Sequence, residues 1–211
     1  MKITKLGHCC LLIEEQGVRI LTDPGNYSTA QDELKNIDLI LITHEHQDHF
    51  HLASLKLVRQ NNPAAKIVTN AAVGALLAKE NIPFSLLADG QKATERRIKL
   101  EGFGREHALM HAALPLVQNT GYFIAERLFY PGDAFTNPNR AVEILALPVA
   151  GPWMKLSEAI DYALALKPKL CFPVHDAILK DPGPVHFRPP QVLTPAGIEF
   201  QVFELGKEYE V

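Results

Sequence analysis

The chain has 211 residues, 47% of them hydrophobic and 21% charged, which excludes collagen-like, disordered and coiled-coil classes. Its 24 acidic residues against 21 Lys plus Arg give a formal charge of -3, so there is no basic excess to grip a nucleic-acid backbone. No apolar run approaches the ~20 residues of a membrane span, and Glu14 and Glu15 close the stretch from Cys9 to Ile13 before it reaches the length of a signal-peptide core. A cytoplasmic protein is expected, with no nucleic-acid partner and no membrane span. Cys9 and Cys10 are neighbours and Cys171 is remote, so all three read as small buried hydrophobes in strands rather than a disulfide framework.

Along the chain, Lys2 to Leu6, Cys9 to Glu14 and Val18 to Thr22 are β-type runs, the last two joined around Gly17 as an antiparallel hairpin. Residues 37–43 are nearly continuously apolar, as in a central strand covered on both faces. Leu52, Leu55, Val58 and Arg59 then fall at helical spacing, Lys66 to Thr69 is a strand, and Ala72 to Glu80 a helix stopped near Pro83. Arg97 to Gly104 and Thr120 to Tyr130 read as extended, with a turn near Arg127. A strand over Ile144 to Val149, a helix over Ser157 to Leu166 with Ile160, Ala163 and Leu164 on one face, and strands over Lys169 to Val174 and Ile198 to Phe203 complete the chain. The Pro/Gly-rich segment Asp181 to Pro190 is expected to be a surface loop. This order predicts an α/β fold of two similar halves, packed sheet on sheet with helices outside, as one domain over 1–211.

Thr43-His44-Glu45-His46-Gln47-Asp48-His49 places three imidazoles and an aspartate directly after the buried strand. Gathering these groups in one loop gains nothing structurally unless a cation balances them. His44 and His46, two apart in an extended exit, can chelate one ion, while Asp48 and His49 enter the next turn and can face a second. The alternative is a solvated polar loop.

The segment resembles the His-x-His-x-Asp-His signature of the metallo-β-lactamase superfamily of metal-dependent hydrolases. Thr22-Asp23-Pro24, Tyr130-Pro131-Gly132-Asp133 and Cys171 to Asp176 resemble further motifs of that family, in its order. The resemblance implies a four-layer αβ/βα sandwich with a dinuclear site where the sheets meet. One ion would take His44, His46 and His107, the other Asp48, His49 and His175, with Asp133 between them. His111 is the alternative to His107, and Asp23 is implied to orient a ligand histidine, against a plain turn residue before Pro24. Imidazole and carboxylate donors suit two divalent ions, zinc first, with Mn or Fe tolerated. The implied chemistry is attack by a metal-bridging hydroxide, with Asp48 and Asp133 in the catalytic centre, on a small ester, lactone or phosphodiester that is anionic or carbonyl-containing. The absence of Cys at position 133 argues against antibiotic hydrolysis. Leu6-Gly7-His8-Cys9-Cys10-Leu11 resembles the branch containing ascorbate-phosphate lactonase and an N-acyl phospholipid phospholipase D, which would bring His8 near the metals; otherwise His8 is a packed polar residue.

On the substrate side, Trp153 is a pocket wall or a core plug. His186 and Arg188 reach an anionic or leaving group or belong to a solvated loop. Two other functions use the same ligands: a di-iron redox or oxygen-handling protein, and a non-catalytic binding protein that keeps a metal for stability. Substrate identity, pathway and oligomeric state are not encoded legibly.

Overall fold

The computed structural model describes residues 1–211. One seven-stranded sheet contains β1 (Lys2–Lys5), β2 (Leu11–Glu15), β3 (Val18–Thr22), β4 (Leu39–Ile42), β5 (Lys66–Thr69) and β6 (Ser85–Leu86). The second contains β7 (Lys92–Glu95), β8 (Ile98–Phe103), β9 (Gly121–Ile124), β10 (Leu128–Tyr130), β11 (Ile144–Pro148), β12 (Leu170–Val174) and β13 (Glu199–Phe200). The last strand, β14 (Glu208–Glu210), returns to pair antiparallel with β1. Each sheet is half antiparallel and half parallel: β1 to β3 and β7 to β10 run as meanders, whereas β3 to β6 and β10 to β13 are parallel. The two halves expected from the element order are therefore present.

β4 shows why its sequence lacks polar alternation. Successive side chains of a strand point to opposite faces; Leu39 and Leu41 enter the core between the sheets, while Ile40 and Ile42 enter a second core beneath the outer helices. Those helices are α1 (Leu52–Asn61), burying Leu55 and Val58, and α2 (Ala71–Lys79), burying Val73 and Leu77. On the other side, α3 (Leu156–Leu166) buries Ala159, Tyr162, Ala163 and Leu166 against Leu145, Leu147 and Cys171. The expected face is thus shifted by one position: Ile160 and Leu164 are only partly buried on it. Four layers result, helices on sheet on sheet on helices.

The segment expected as a surface loop is instead helical: α4 (Gly183–Phe187) and α5 (Pro189–Leu193), whose Val185 and Leu193 are buried in the α3-side core. Each helix carries Pro in its first turn, where the missing N–H costs nothing and the fixed φ favours entry. The strand expected over Ile198 to Phe203 shrinks to Glu199–Phe200, and Phe203 instead stacks between Phe172 and Tyr209 with centroids at 4.5 and 4.3 Å. All three cysteines are buried free thiols. No helix is long and apolar enough to cross a membrane.

Candidate metal centre

The carboxyl ends of β3, β4, β10 and β12 open at one edge of the sandwich, and the residues that follow them are Asp23, Thr43 to His49, Asp133 and His175. Ligand sites in open α/β sheets form outside such strand ends. The histidine loop is folded tightly against the β3 exit. Asn26 N–H donates to the Gln47 carbonyl at 2.8 Å and His51 N–H to the Pro24 carbonyl at 3.1 Å. A Cβ on Gly25 would stand 1.8 Å from the Asp48 carbonyl oxygen. Only glycine allows that approach. Asn70 caps α2 by accepting from Val73 N–H, and its amide donates to the Thr43 carbonyl at 2.7 Å, tying the same loop to the helix behind it.

Donor atoms converge in two adjoining groups. His44 Nε2 lies 3.1 Å from His46 Nδ1, and Asp133 Oδ2 lies 3.2 Å from His107 Nε2 and 3.9 Å from His44 Nε2. On the other side of Asp133, Oδ1 is 3.1 Å from His49 Nε2 and Oδ2 is 2.8 Å from His175 Nε2. Asp48 Oδ2 closes that side, 3.5 Å from His175 Nε2 and 3.9 Å from His49 Nε2. Donors held ~2.0–2.2 Å from one ion stand roughly 3–3.5 Å from one another, so these separations suit shared cations. A further observation distinguishes this from an ordinary polar cluster: His49 Nε2, His175 Nε2 and Asp133 Oδ1 are buried yet have no hydrogen-bond partner. They lie close to one another without forming a hydrogen bond among themselves. Such orphaned groups cost about 1–3 kcal/mol each unless something else binds them.

The opposite nitrogens show which lone pairs are free. His49 Nδ1 donates to Asp23 Oδ2 at 2.7 Å. His107 Nδ1 donates to the Ala108 carbonyl at 2.6 Å. The Thr43 hydroxyl donates its one proton to Asp23 Oδ2 at 2.7 Å, and so accepts from His44 Nδ1 at 3.0 Å. In all three rings the proton is held on Nδ1 and Nε2 is left to bind a cation. Asp23 also accepts from Thr43 N–H at 2.8 Å and meets the Tyr130 hydroxyl at 2.7 Å. It holds its place in a left-handed conformation, φ 38°.

Charge is distributed unequally. Burial, then the neighbouring His49, holds His44 well below the ordinary imidazole value, and burial with His107 lowers His46. Both stay neutral. Burial would also lower His49 and His175, but Asp133 overrides it: His49 is raised well above its ordinary value and His175 to about 10. Conversely, burial would raise Asp48 and Asp133, yet both lie well below the carboxylate range, Asp48 through His175 and His8, Asp133 through His49 and His175. The side holding Asp48, His49 and His175 thus demands positive charge, from protons or from a metal.

All seven expected donors meet at this edge. His107 is within the cluster and His111 is not: His111 is exposed and its Nδ1 accepts from Ala113 N–H at 3.1 Å. His107 N–H donates to the Val117 carbonyl, closing the neck of the loop that carries His111 outward. His8 is buried; its Nδ1 accepts from Ala177 N–H, which leaves the proton on Nε2, 3.3 Å from Asp48 Oδ2. Trp153 is buried with Nε1 donating to Asp133 Oδ2 at 3.1 Å. It is a wall of the centre rather than a remote plug. His186 lies against Asp176 instead, Nε2 to Oδ2 at 2.7 Å, and Arg188 is exposed beside Phe187. Cys9, read above as a plain core residue, brings its thiol among the donors of His8, His49 and His175 as well as packing in the inter-sheet core. Sequence reasoning also missed Thr43, Tyr130 and Asn119, whose Oδ1 accepts from Asp133 N–H. For Thr43 the available signal was its place at the end of β4, directly before the first histidine.

Residues 2–175 match the Beta-lactamase superfamily domain. Protein Rv0786c of Mycobacterium tuberculosis is 35% identical over 184 residues, covering 85% of each chain. A UPF0173 protein of Pyrococcus furiosus is 30% identical over 198 residues, covering 89% of each. The structure of Igni18, described as a novel metallo hydrolase from Ignicoccus hospitalis, superposes with a TM-score of 0.79 at 24% identity, over 100% of this chain and 98% of that one. Sheet order, strand-end donors and these matches agree: the chain is an αβ/βα sandwich and belongs to the β-lactamase superfamily domain family.

Proposed function

We propose that this member of the family is a dinuclear metal-dependent hydrolase, acting on a small ester, lactone or phosphodiester. The observation that carries it is the convergence of the donors into two adjoining groups that share Asp133, one of them holding unpartnered buried atoms on His49, His175 and Asp133. His44, His46 and His107 would hold one ion, Asp48, His49 and His175 the other, and Asp133 both. Imidazole and carboxylate donors favour zinc. Bound divalent ions supply an activated water near neutral pH and a Lewis acid for the carbonyl or phosphoryl oxygen.

The chain's own residues do the rest. Asp23 and Thr43 fix the imidazole tautomers, Trp153 covers Asp133 from one side, and His8 holds Asp48 from the other. His46 and Asp48 are the partly exposed members of the set, which leaves substrate an approach on that side. The charge of two ions exceeds that of Asp48 and Asp133, so an anionic or carbonyl-bearing group is drawn in.

Metal analysis of the purified protein, together with a screen of ester, lactone and phosphodiester substrates, tests this reading. Two ions per chain are expected, with turnover abolished by His46→Ala and by Asp133→Ala. Bound iron with an optical signal and no hydrolysis would replace it with the redox reading, and metal-dependent thermal stabilisation without turnover would replace it with a binding protein.

A further inference from the structure

A cleft of about 340 Å³ lies next to the candidate centre, between the β1–β2 connection and the segment after His175. His8 is the wall they share. Its Nε2 points at Asp48, 3.3 Å away, and its ring stacks on Tyr27 at 4.9 Å between centroids. Leu6, Ala30, Leu179, Pro182 and Leu205 give the remaining walls apolar surface, interrupted by the Ser28 and Thr29 hydroxyls. At ~30 Å³ per water the cleft has room for about ten waters, which is the size of one ring or a short chain rather than a whole large ligand.

The polar groups at its inner end are already paired. Lys5 Nζ donates to both oxygens of Asp176 at 2.7 Å and to the Pro173 carbonyl at 2.9 Å, using all three of its protons. Asp176 Oδ2 also accepts from His186 Nε2. The ammonium has no proton left for the cleft, and the carboxylate beside it can only accept. A phosphate or carboxylate entering it would meet the Asp176 carboxylate and no unpaired ammonium. An uncharged apolar group loses nothing and gains burial.

We infer that this cleft is the subsite for an uncharged, apolar acyl or aryl group of the substrate, so that the enzyme selects molecules in which the reacting group is joined directly to such a body. This rests on the hydrolase reading for its direction, since the reacting group would lie at the Asp48 side of His8, but the cleft's preference for apolar ligands stands on its lining alone. Of the three ligand properties the walls discriminate, size, polarity and charge, charge is the sharpest, because Lys5 has no proton to spare.

The experiment uses the metal-loaded full chain and phenylpropanol as a probe that cannot be hydrolysed. Backbone amide shifts that saturate at Ala30, Ala177 and Leu179 are expected in the native protein, and Ala30→Trp should weaken the probe about tenfold or more by filling the cleft. In parallel, hydrolysis of a phenylpropyl and a methyl ester of the same acid is compared: Ala30→Trp should lower the phenylpropyl-to-methyl ratio of kcat/KM by about tenfold. Probe binding at those amides without hydrolysis of any ester would sink the hydrolase reading and leave the apolar subsite standing. Hydrolysis of both esters with no shifts at those amides, and an unchanged ratio in Ala30→Trp, would overturn the subsite.

Discussion

Asp23 Oδ2 stands 2.7 Å from His49 Nδ1, with both side chains fully buried. The same carboxylate takes the Thr43 hydroxyl proton, and through Thr43 it fixes His44. One residue that is not among the seven donors therefore sets the lone pairs of two that are, one on each side of Asp133. Groups in this position contribute through the ligands they orient.

Replacing Asp23 should weaken metal binding although no donor is touched. Asp23→Ala is expected to lower affinity by about 10–100-fold. Asp23→Asn should do nearly the same, because an amide that keeps its oxygen on the Thr43 N–H turns its NH2 toward the Thr43 hydroxyl and His49 Nδ1, and so drives the His49 proton to Nε2. Competition against a chromophoric chelator measures the effect; native affinity in Asp23→Asn would show that the tautomer is not held from this side.

Protons and metal compete for the Asp48, His49 and His175 side. Against the effect of burial, Asp133 pushes His175 up to about 10 from an ordinary 6.5, so its contribution to stability is complete below about pH 6.5 and is lost as the pH rises through about 10. Asp133 is shifted the other way, and its contribution is present above its ordinary 3.8 and lost as the pH falls through its depressed folded value. Metal binding at pH 7 must then expel protons from His49 and His175, and affinity must rise with pH. Calorimetry in buffers of different ionisation enthalpy should record a release of about two protons per chain from these imidazoles, and about one more if a bound water ionises; a release of none would contradict the charge distribution described for the centre.

Trp153 is the sole tryptophan, and its indole N–H donates to Asp133 Oδ2. An ion that takes this oxygen changes the charge facing the ring. Intrinsic fluorescence should therefore change on addition of zinc and saturate with the same stoichiometry that metal analysis gives. Asp133→Asn should abolish the response, and a titration that leaves the emission unchanged would place the bound ions elsewhere.

Gly132 has φ +65°, and a Cβ there would lie 2.3 Å from Asn119 Oδ1 and 2.9 Å from Thr43 Cβ. Gly132→Ala should cost more than about 1 kcal/mol in urea unfolding and should displace Asp133, so that stability and metal affinity fall together. Loss of stability with native metal affinity would separate the turn from the centre.

Much of this arrangement is legible in the sequence, and the exceptions have physical causes. The run over 37–43 reveals a strand between two apolar layers because both of its faces need hydrophobes. The histidine loop is dense enough to be read locally. His107 and His111 are not separable by type or spacing; they differ only because the backbone closes at Val117 and turns His111 outward. Thr43, Tyr130 and Asn119 are common residues whose importance comes from contacts 20, 107 and 14 positions away in the chain. The Asp181 to Pro190 segment misleads because proline punctuates loops and begins helices alike. β14 is three residues of Glu-Tyr-Glu at a sheet edge, polar because it is exposed, and so it lacks an apolar strand signal.

Anomalous diffraction at the zinc edge, on crystals of the zinc-loaded protein, distinguishes a shared pair of ions from any other use of these side chains. Two peaks are expected, one bounded by His44, His46 and His107, the other by Asp48, His49 and His175, with Asp133 touching both. A single peak, or peaks away from Asp133, would contradict the dinuclear centre.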